Sequence, residues 1–313
     1  ITIYYSPKSK KVTNRKHYPR ISILKPVKNV DDDMENNFDS IFNIDYPDFE
    51  ILFGVDSKQD PVADLIRRMI QKYPKVDVKM IETGHRSDQN PKVHKLSFME
   101  DYASGELFWI SDSNIRVHPS ALKSLANEYI DNGTHLVFSP IKGEGNRTFG
   151  SIIENSYMNH YLSGNVLAAW NLFKQEIVVG KSMLIERKAL SSFGGFSYFR
   201  NFLAEDQIMG ETFRNSGYKI KTNNTWVTNF NNSSTMKSFF SRMSRWAKLR
   251  FNMHRNIYAI ELLTNTTTLC ILSLLFPDRI GAMTLALAMS MRIASELVNY
   301  LAIDRTEGGR LRS

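Results

Sequence analysis

The sequence predicts an α/β fold with a mostly parallel sheet and helices on both faces. Short apolar segments of strand length alternate with segments whose apolar residues recur at spacings of three and four. Strands and helices that alternate through short connections are typical of parallel sheets whose crossover helices cover both faces. The strand-length segments are residues 21–24, 51–55, 76–81, 107–110, 136–138 and 177–185.

Helices are predicted between several of these strands. Residues 33–42 and 61–73 have the spacing of a helix with one buried face. A further helix is predicted to start at Glu205 and Asp206, after the glycine-rich segment 193–196. The apolar residues of the first two faces are Met34, Phe38, Ile41 and Phe42, and Leu65, Ile66, Met69 and Ile70.

Length and cysteine content exclude several classes of protein. A chain of 313 residues with 42% hydrophobic and 23% charged residues can bury the core of one or two domains. It is therefore neither a disordered chain nor a disulfide-stapled miniprotein. The single cysteine, Cys270, permits no internal disulfide, which favours a reducing compartment for the soluble part.

The net charge of +8 suits a nucleic acid, an anionic membrane surface or a phosphorylated substrate, so its distribution must decide. Residues 8–20 contain six lysines and arginines and no acid. We expect 1–19 to be a basic segment next to a membrane, because Lys and Arg are enriched at the cytoplasmic ends of transmembrane helices. A frayed basic tail explains this segment equally well.

The other end of the chain favours a membrane. Residues 236–258 combine basic and aromatic side chains without an acid, which predicts an amphipathic helix at a membrane interface. Residues 259–313 are predicted to form membrane-associated hydrophobic helices. Their apolar runs, 262–276 and 280–291, are each shorter than the roughly 20 residues of an upright span. Core helices, re-entrant segments and short spans remain alternatives, whereas nucleic-acid binding does not predict such runs.

Acidic residues follow two of the predicted strands. Asp56 and Asp60 come after residues 51–55, and Asp112 comes after 107–110. In parallel sheets the ligand lies beyond the carboxyl ends of the strands, where these carboxylates would converge. Neither a Gly-x-Gly-x-x-Gly fingerprint nor a phosphate-binding Gly-x-x-x-x-Gly-Lys loop is present. Asp112 suits a metal ion on a diphosphate, although capping a turn is the commoner use of such an aspartate.

Two further motifs can serve the same chemistry. Glu205 and Asp206 open a helix, where they can also simply favour the positive end of the helix dipole. Arg242 and Arg245 are three residues apart, so on a helix they share a face. Forked arginine donors suit a phosphate leaving group.

The order and spacing of these motifs carry a family resemblance. Three separated aspartates, Asp60, Asp112 and Asp206, precede the box Arg-x-x-Arg-Trp at 242–246. This set resembles that of inverting nucleotide-sugar glycosyltransferases and, most closely, the ceramide glucosyltransferase family. The similarity runs from about residue 21 to beyond Trp246 and includes the segments 24–28, 45–47, 59–61, 90–93, 111–117 and 204–206.

The resemblance implies a glycosyltransferase-A-like fold, with residues 20–235 as the nucleotide-sugar-binding catalytic domain. It implies that Asp112 ligates Mg²⁺ or Mn²⁺ and that Asp206 is the general base. Arg242, Arg245 and Trp246 would complete the catalytic site. The residues expected to bind the nucleotide sugar are Lys25, Asp56, Asp60, Asn90, Lys92, Asp112 and Glu205.

The activity implied is transfer of a hexose, glucose by the resemblance, from a UDP-sugar to a ceramide-like lipid. The enzyme would be bound to membrane lipids with its catalytic domain on the cytoplasmic face, and no nucleic-acid partner is expected. A hopanoid or other lipid acceptor is an alternative, because residues 154–176 match the ceramide enzymes less well. A non-enzymatic basic protein that binds membranes or nucleic acid is a third hypothesis.

Five positions need separate comment. Asn114 stands where the second acid of an Asp-x-Asp pair is usual, which weakens metal binding. Arg242 stands where processive polysaccharide synthases generally have Gln, which favours a single transfer. His160 could contact the acceptor or be an ordinary polar residue on a helix. Gly180 and Lys181 could face the donor sugar or form a tight turn.

Overall fold

A seven-stranded sheet forms the centre of the protein, accompanied by a three-stranded sheet. The computed structural model describes residues 17–162, 177–223, 225–253, 255–256, 258, 266–275 and 279–308. The strands are β1 (Ile21–Pro26), β2 (Phe49–Val55), β3 (Asp77–Glu82), β4 (Leu107–Ser111), β5 (Ile115–Arg116), β6 (Leu136–Phe138), β7 (Ile141–Glu144), β8 (Ser182–Glu186), β9 (Ile220–Thr222) and β10 (Val227–Phe230). The helices are α1 (Met34–Phe42), α2 (Pro61–Lys72), α3 (Pro91–Tyr102), α4 (Ala121–Asn132), α5 (Phe149–Ser156), a π-helix (Tyr157–Leu162), α6 (Arg187–Ser191), a 3₁₀ helix (Phe196–Phe199), α7 (Glu205–Asn215), α8 (Met236–Met253), α9 (Thr266–Ser273) and α10 (Arg279–Gly308).

The large sheet is mostly parallel, as the sequence predicts. Its strand order is β3-β2-β1-β4-β8-β6-β9. β1 is parallel to β2 and β4, β2 is parallel to β3, and β6 is parallel to β9. β8 is antiparallel to β4 and β6, so the residues just before β8 lie beside the carboxyl end of β4. In the small sheet, β10 is antiparallel to β5 and parallel to β7.

The large sheet separates two hydrophobic layers. In β2, Ile51 and Phe53 pack in the layer that contains α1 and α2, whereas Leu52 packs in the layer that contains α3. This alternation follows from the two-residue period of a strand. The predicted helical faces are confirmed, because Phe38 of α1 and Leu65 of α2 are buried. Helices therefore cover both faces of the large sheet.

Two helices start at an Asx-Pro pair. Asp60 caps α2, where its side chain accepts a hydrogen bond from the Val62 amide at 3.0 Å. Asn90 caps α3 in the same way. A short polar side chain followed by proline is a strong helix start, because it satisfies a free amide and fixes φ in the helical range.

The strand β8 is shorter than the apolar segment from which it was predicted. Residues 177–185 are predicted as a strand, but β8 begins only at Ser182. Gly180 and Lys181 form a turn before it. The Gly180 amide donates to the carboxylate of Asp206, not to a neighbouring strand, which is why the ladder stops there.

The carboxyl-terminal described residues lie mostly in the three helices α8, α9 and α10. α8 has no buried residue, α9 lies beside α10, and α10 lies beside the π-helix. No helix within the described ranges combines the length and the apolar character that a membrane crossing requires. Residues 1–16 and 259–265 lie outside the described part of the chain. The divisions at 19, 235 and 258 stay predictions.

Candidate active site

Acidic and basic side chains from three elements meet at the carboxyl end of β4. Lys92, in the first turn of α3, lies at the centre, with its Nζ 3.0 Å from Asp112 Oδ1 and 3.2 Å from Glu205 Oε1. The same ammonium donates to the carbonyl oxygen of Gly180 at 2.8 Å. We call Lys92, Asp112, Glu205 and Asp206 the acid–lysine cluster. Burial acts against the charge of Lys92, but the three carboxylates outweigh it and raise its pKa.

Asp206 is held by two main-chain amides. Its Oδ2 accepts from Gly180 at 2.7 Å and its Oδ1 accepts from Gln207 at 2.9 Å. A Cβ atom on residue 180 would lie 2.8 Å from the Asp206 carboxylate, so only glycine permits this approach. Burial, followed by the charge of Glu205, raises the pKa of Asp206 to about 6. A carboxylate with that pKa is ionised at neutral pH and is well matched to accept a proton.

Asp112 has the opposite electrostatic environment. Burial acts to raise its pKa, but Lys92 and Lys181 outweigh burial and lower it to about 2. Asp112 therefore stays ionised across the physiological pH range. Lys181 Nζ lies 3.4 Å from Asp112 Oδ2 and 3.3 Å from Asn114 Oδ1. The two lysines thus hold both oxygens of this carboxylate.

The oxygens of Asp112 and Asn114 fit a divalent cation only together with a diphosphate. Mg²⁺ is commonly held by one or two carboxylates plus substrate phosphates. Among the described residues, no group of three or more His, Cys, Asp or Glu side chains could enclose a metal ion. The oxygen ligands of Asp112 and Asn114 therefore suit a metal ion that binds together with a nucleotide.

Lys25 lies beneath Asp112. It is fully buried, and its Nζ donates to the main-chain oxygen of Asp112 at 2.8 Å and to Ser111 Oγ at 3.3 Å. Burial lowers its pKa to about 7, opposed by the charge of Asp112. In this structure Lys25 supports the end of β4, and its predicted contact with the nucleotide stays a prediction.

Asn90 joins α3 to α7. Its side-chain amide donates to Glu205 Oε2 and to the carbonyl of Phe202, both at 2.9 Å, and its oxygen accepts from the Lys92 amide at 3.0 Å. Asn90 therefore positions two members of the acid–lysine cluster. Direct contact between Asn90 and a nucleotide sugar stays a prediction.

The two acids beyond β2 make contacts away from the acid–lysine cluster. Asp60 accepts from the Asn29 amide at 3.0 Å while it caps α2. Asp56 pairs with Lys95 and, at 3.1 Å, with Lys28. Burial acts to raise the pKa of Asp56, but these two lysines outweigh it and lower the pKa. Both side chains order the loops at the carboxyl end of β2, and their contact with a nucleotide stays a prediction.

The Arg-x-x-Arg-Trp box lies on α8. Arg242 forms an ion pair with Glu154 of α5, whose side chain is 1% exposed. The Trp246 ring lies 6.1 Å from the ring of Tyr157. Arg245 lines a groove that also includes Leu203, from the loop just before α7.

The structure does not join this box to the acid–lysine cluster. Within the described residues, the hydrogen bonds and ion pairs of the cluster include neither arginine of the box nor its tryptophan. Arg245 and Leu203 line the same groove, and Leu203 belongs to the loop that leads into Glu205 and Asp206. The catalytic assignments of Arg242, Arg245 and Trp246 stay predictions. His160 belongs to the π-helix, and its side chain lies outside the described residues.

Three residues make contacts at the site that the sequence does not predict, although Gly180 and Lys181 were expected to face the donor sugar or to form a tight turn. Glu154 is the partner of Arg242, Gly180 binds Asp206, and Lys181 bridges Asp112 and Asn114. The Gly180-Lys181 pair can be recognised in the sequence, because a glycine followed by a lysine directly precedes an apolar strand. Glu154 had none, because nothing local distinguishes it from a surface glutamate.

The chain belongs to a family of glycosyltransferases. The model of glycosyl transferase family 21 matches residues 2–311, and the chain belongs to that family. Ceramide glucosyltransferase 3 of Caenorhabditis elegans is 29% identical over 252 residues, which are 80% of this chain and 55% of that protein. Ceramide glucosyltransferase of Komagataella phaffii is 27% identical over 315 residues, covering 80% of this chain and 60% of that protein. The chain thus spans a little over half the length of these relatives.

A solved structure shares the fold. The mannosyltransferase PcManGT from Pyrobaculum calidifontis, solved in complex with GDP-Man and Mn²⁺, matches with a TM-score of 0.59. The match covers 93% of this chain and 87% of that one at 15% identity. It confirms the predicted α/β architecture with a mostly parallel sheet and flanking helices.

Proposed function

We propose that this chain is the catalytic part of a membrane-associated, inverting glycosyltransferase. It transfers a hexose from a UDP-sugar to a hydroxyl group of a ceramide-like lipid. The family membership supports the reaction class, and the names of the relatives support glucose and ceramide. The observation that carries the proposal is the arrangement of two carboxylates around Lys92, in which Asp112 contacts two lysines and Asp206 is held by two main-chain amides, so that the pKa of Asp112 is lowered and that of Asp206 is raised.

The two carboxylates suit the two halves of a displacement. The departing diphosphate gains negative charge, which lysine ammonium groups and a cation can stabilise. The acceptor hydroxyl loses a proton as its oxygen attacks the anomeric carbon. Asp206 takes that proton on a carboxylate oxygen, because its raised pKa makes it the stronger base.

Direct displacement requires no covalent sugar–enzyme bond. The acceptor oxygen forms the new bond while the bond to the diphosphate breaks, so the anomeric configuration inverts. Asp206 needs only to reach the acceptor hydroxyl, and Glu205 is not required as a nucleophile. Glu205 is already engaged by Asn90 and Lys92, which suits it to position the cluster.

The site is suited to Mg²⁺ or Mn²⁺ together with the donor. When bound, such an ion would neutralise charge on the leaving diphosphate. Asp112 and Asn114 are the residues that would hold it, because an oxygen of each side chain lies next to the same atom, Lys181 Nζ. Lys92 keeps Asp112 ionised and oriented whether or not the ion is bound.

Exposed apolar side chains support a membrane-bound acceptor. Leu203, beside the Arg245 groove, is 68% exposed, and Phe240 of α8 is 61% exposed. On α10, Met283 and Leu287 are also exposed. Large exposed apolar groups next to basic residues are typical of surfaces that contact lipid. The catalytic domain would face the cytoplasm.

A transfer assay with several donors and acceptors tests the proposal. Purified protein is incubated with UDP-glucose, UDP-galactose or UDP-N-acetylglucosamine, and with ceramide, a hopanoid or a polyprenyl lipid. Mass spectrometry of the lipid fraction should show a hexose added to ceramide. Addition to the hopanoid alone would support the alternative acceptor, and no transfer from any UDP-sugar would contradict the proposal.

A further inference from the structure

The main chain fixes Lys181 opposite Asp112. Because β8 is antiparallel to β4, Ser182 pairs with Ser111 at the end of the ladder. The next main-chain contact joins the Asp112 amide to the carbonyl of Lys181 at 3.2 Å. Position 181 is thus defined by the sheet and not by a free loop.

The Lys181 side chain lies between the two side chains at the Asp-x-Asn positions. Its Nζ is 3.4 Å from Asp112 Oδ2 and 3.3 Å from Asn114 Oδ1, and the side chain is 19% exposed. A pair of aspartates there would offer two negative charges to a divalent cation. Here the second charge is absent at Asn114, and Lys181 compensates the first.

Lys181 differs from Lys92 in how firmly its ammonium is held. Lys92 directs its donors to three oxygens at 2.8–3.2 Å, which matches its three N–H groups. The two contacts of Lys181, at 3.3 and 3.4 Å, are longer than the usual 2.9–3.0 Å for an N–H···O bond. The Lys181 ammonium can therefore turn toward a phosphate oxygen at small cost, whereas Lys92 cannot.

We propose that Lys181 is a resident cation of the diphosphate site. It balances the charge of Asp112 and donates to Asn114 Oδ1 before the nucleotide binds, and it then donates to the diphosphate, so that UDP binds measurably without a divalent ion. This inference rests on the proposed UDP-sugar donor. A lysine is an established phosphate partner that acts as a point charge.

Nucleotide binding tests this inference without an activity measurement. UDP affinity is measured by isothermal titration calorimetry on the full chain, in EDTA and in Mg²⁺. The wild-type chain should bind UDP in EDTA, and Lys181→Met should weaken that binding about tenfold or more, the effect of losing a charged hydrogen bond. Lys181→Arg keeps the charge and should stay close to wild type. Lys221→Met removes a lysine from a remote ion pair with Glu128 and serves as the matched control.

The dependence on Mg²⁺ gives a second readout. Lys181→Met should gain more UDP affinity from Mg²⁺ than the wild-type chain does, because it has lost the resident charge. Equal affinities of wild type and Lys181→Met in EDTA, or a wild-type chain that binds UDP only with Mg²⁺, would overturn the inference and leave the donor proposal intact. Absence of UDP binding by every variant in both conditions would overturn both. Melting temperatures of the variants identify any loss of folding, and the Lys181→Arg result then decides the question.

Discussion

Asp112 and Asp206 show how neighbouring carboxylates acquire different chemistry. Both belong to the acid–lysine cluster and both are desolvated. Asp112 contacts two lysines, whereas Asp206 lies beside Glu205 and accepts hydrogen bonds from the main-chain amides of Gly180 and Gln207. Their pKa values, about 2 and about 6, follow from these partners. When two carboxylates differ in pKa in this way, one can stay charged while the other accepts a proton.

Replacing Asp206 with Asn tests its assignment as the base. Asp206→Asn should lower the transfer rate about 10²- to 10⁴-fold, the usual contribution of general base catalysis. UDP affinity should change little, because the amide has nearly the shape of the carboxylate. The rate and the UDP dissociation constant are measured for this variant and for Asp64→Asn, an exposed control on α2. Full activity in Asp206→Asn would exclude Asp206 as the base.

The raised pKa of Asp206 also predicts a pH dependence. Below a pKa of about 6 the carboxyl group is protonated and cannot accept the acceptor's proton. The value of kcat/KM should therefore rise about tenfold per pH unit up to pH 6 and level off above it. The profile is measured between pH 5 and 8, with circular dichroism to show that the fold persists. A flat profile over that range would contradict the assignment.

At the scale of elements, α8 is attached to the domain by a buried acid. Glu154 of α5 accepts from Arg242 and, at 2.5 Å, from Ser234 Oγ. No residue of α8 is buried, and this ion pair links α8 to α5. Arg242 therefore stabilises the position of the helix that carries Arg245 and Trp246.

Removing Arg242 should leave the Glu154 carboxylate buried without its ionic partner. Arg242→Met should lower the free energy of unfolding by about 1–3 kcal/mol, the cost of an unsatisfied buried acceptor. Glu154→Met combined with Arg242→Met should be less destabilised than the sum of the two single changes. Urea titrations of the four chains measure this coupling, and Lys248→Met provides an exposed control on the same helix. Additive effects would show that the pair does not link α5 to α8.

The sequence predicts elements that depend on local patterns and misses contacts that depend on tertiary pairing. The periods of residues 33–42 and 61–73 are local, and α1 and α2 form there. The contact between Lys181 and Asp112 spans 69 residues and exists because β8 runs antiparallel to β4. The pair of Arg242 and Glu154 spans 88 residues. The acids of the site were predictable because they directly follow a strand or open a helix. Lys92 was expected at the site through the resemblance, but the pairing of Lys92 and Lys181 with these acids follows from the folded geometry.

At the scale of the whole molecule, basic and exposed apolar side chains occur together on α8. Lys237 and Lys248 are exposed on α8, and Phe240 and Phe251 are exposed on the same helix. This combination predicts that α8 lies on an anionic lipid surface. The positive charge of the acid–lysine cluster has a separate function, because Lys92 and Lys181 are turned inward to carboxylates.

Removing two of these charges should weaken membrane binding. Lys237→Gln combined with Lys248→Gln should reduce affinity for phosphatidylserine vesicles about tenfold or more, since each lysine near the surface contributes about 1 kcal/mol. Binding is measured by vesicle sedimentation at low and high salt. Lys58→Gln combined with Lys75→Gln removes the same charge from loops around α2. Equal loss in both double variants would show that only the net charge of the molecule matters.

The anomeric configuration of the first-formed product tests the central claim most directly. The protein is incubated with UDP-glucose, in which the sugar is α-linked, and with ceramide, and the glycolipid is examined by proton NMR during its formation. Direct displacement assisted by Asp206 predicts a β-linked glucosyl lipid. An α-linked product, or release of free glucose without a glycolipid, would contradict inverting transfer to a lipid at the acid–lysine cluster.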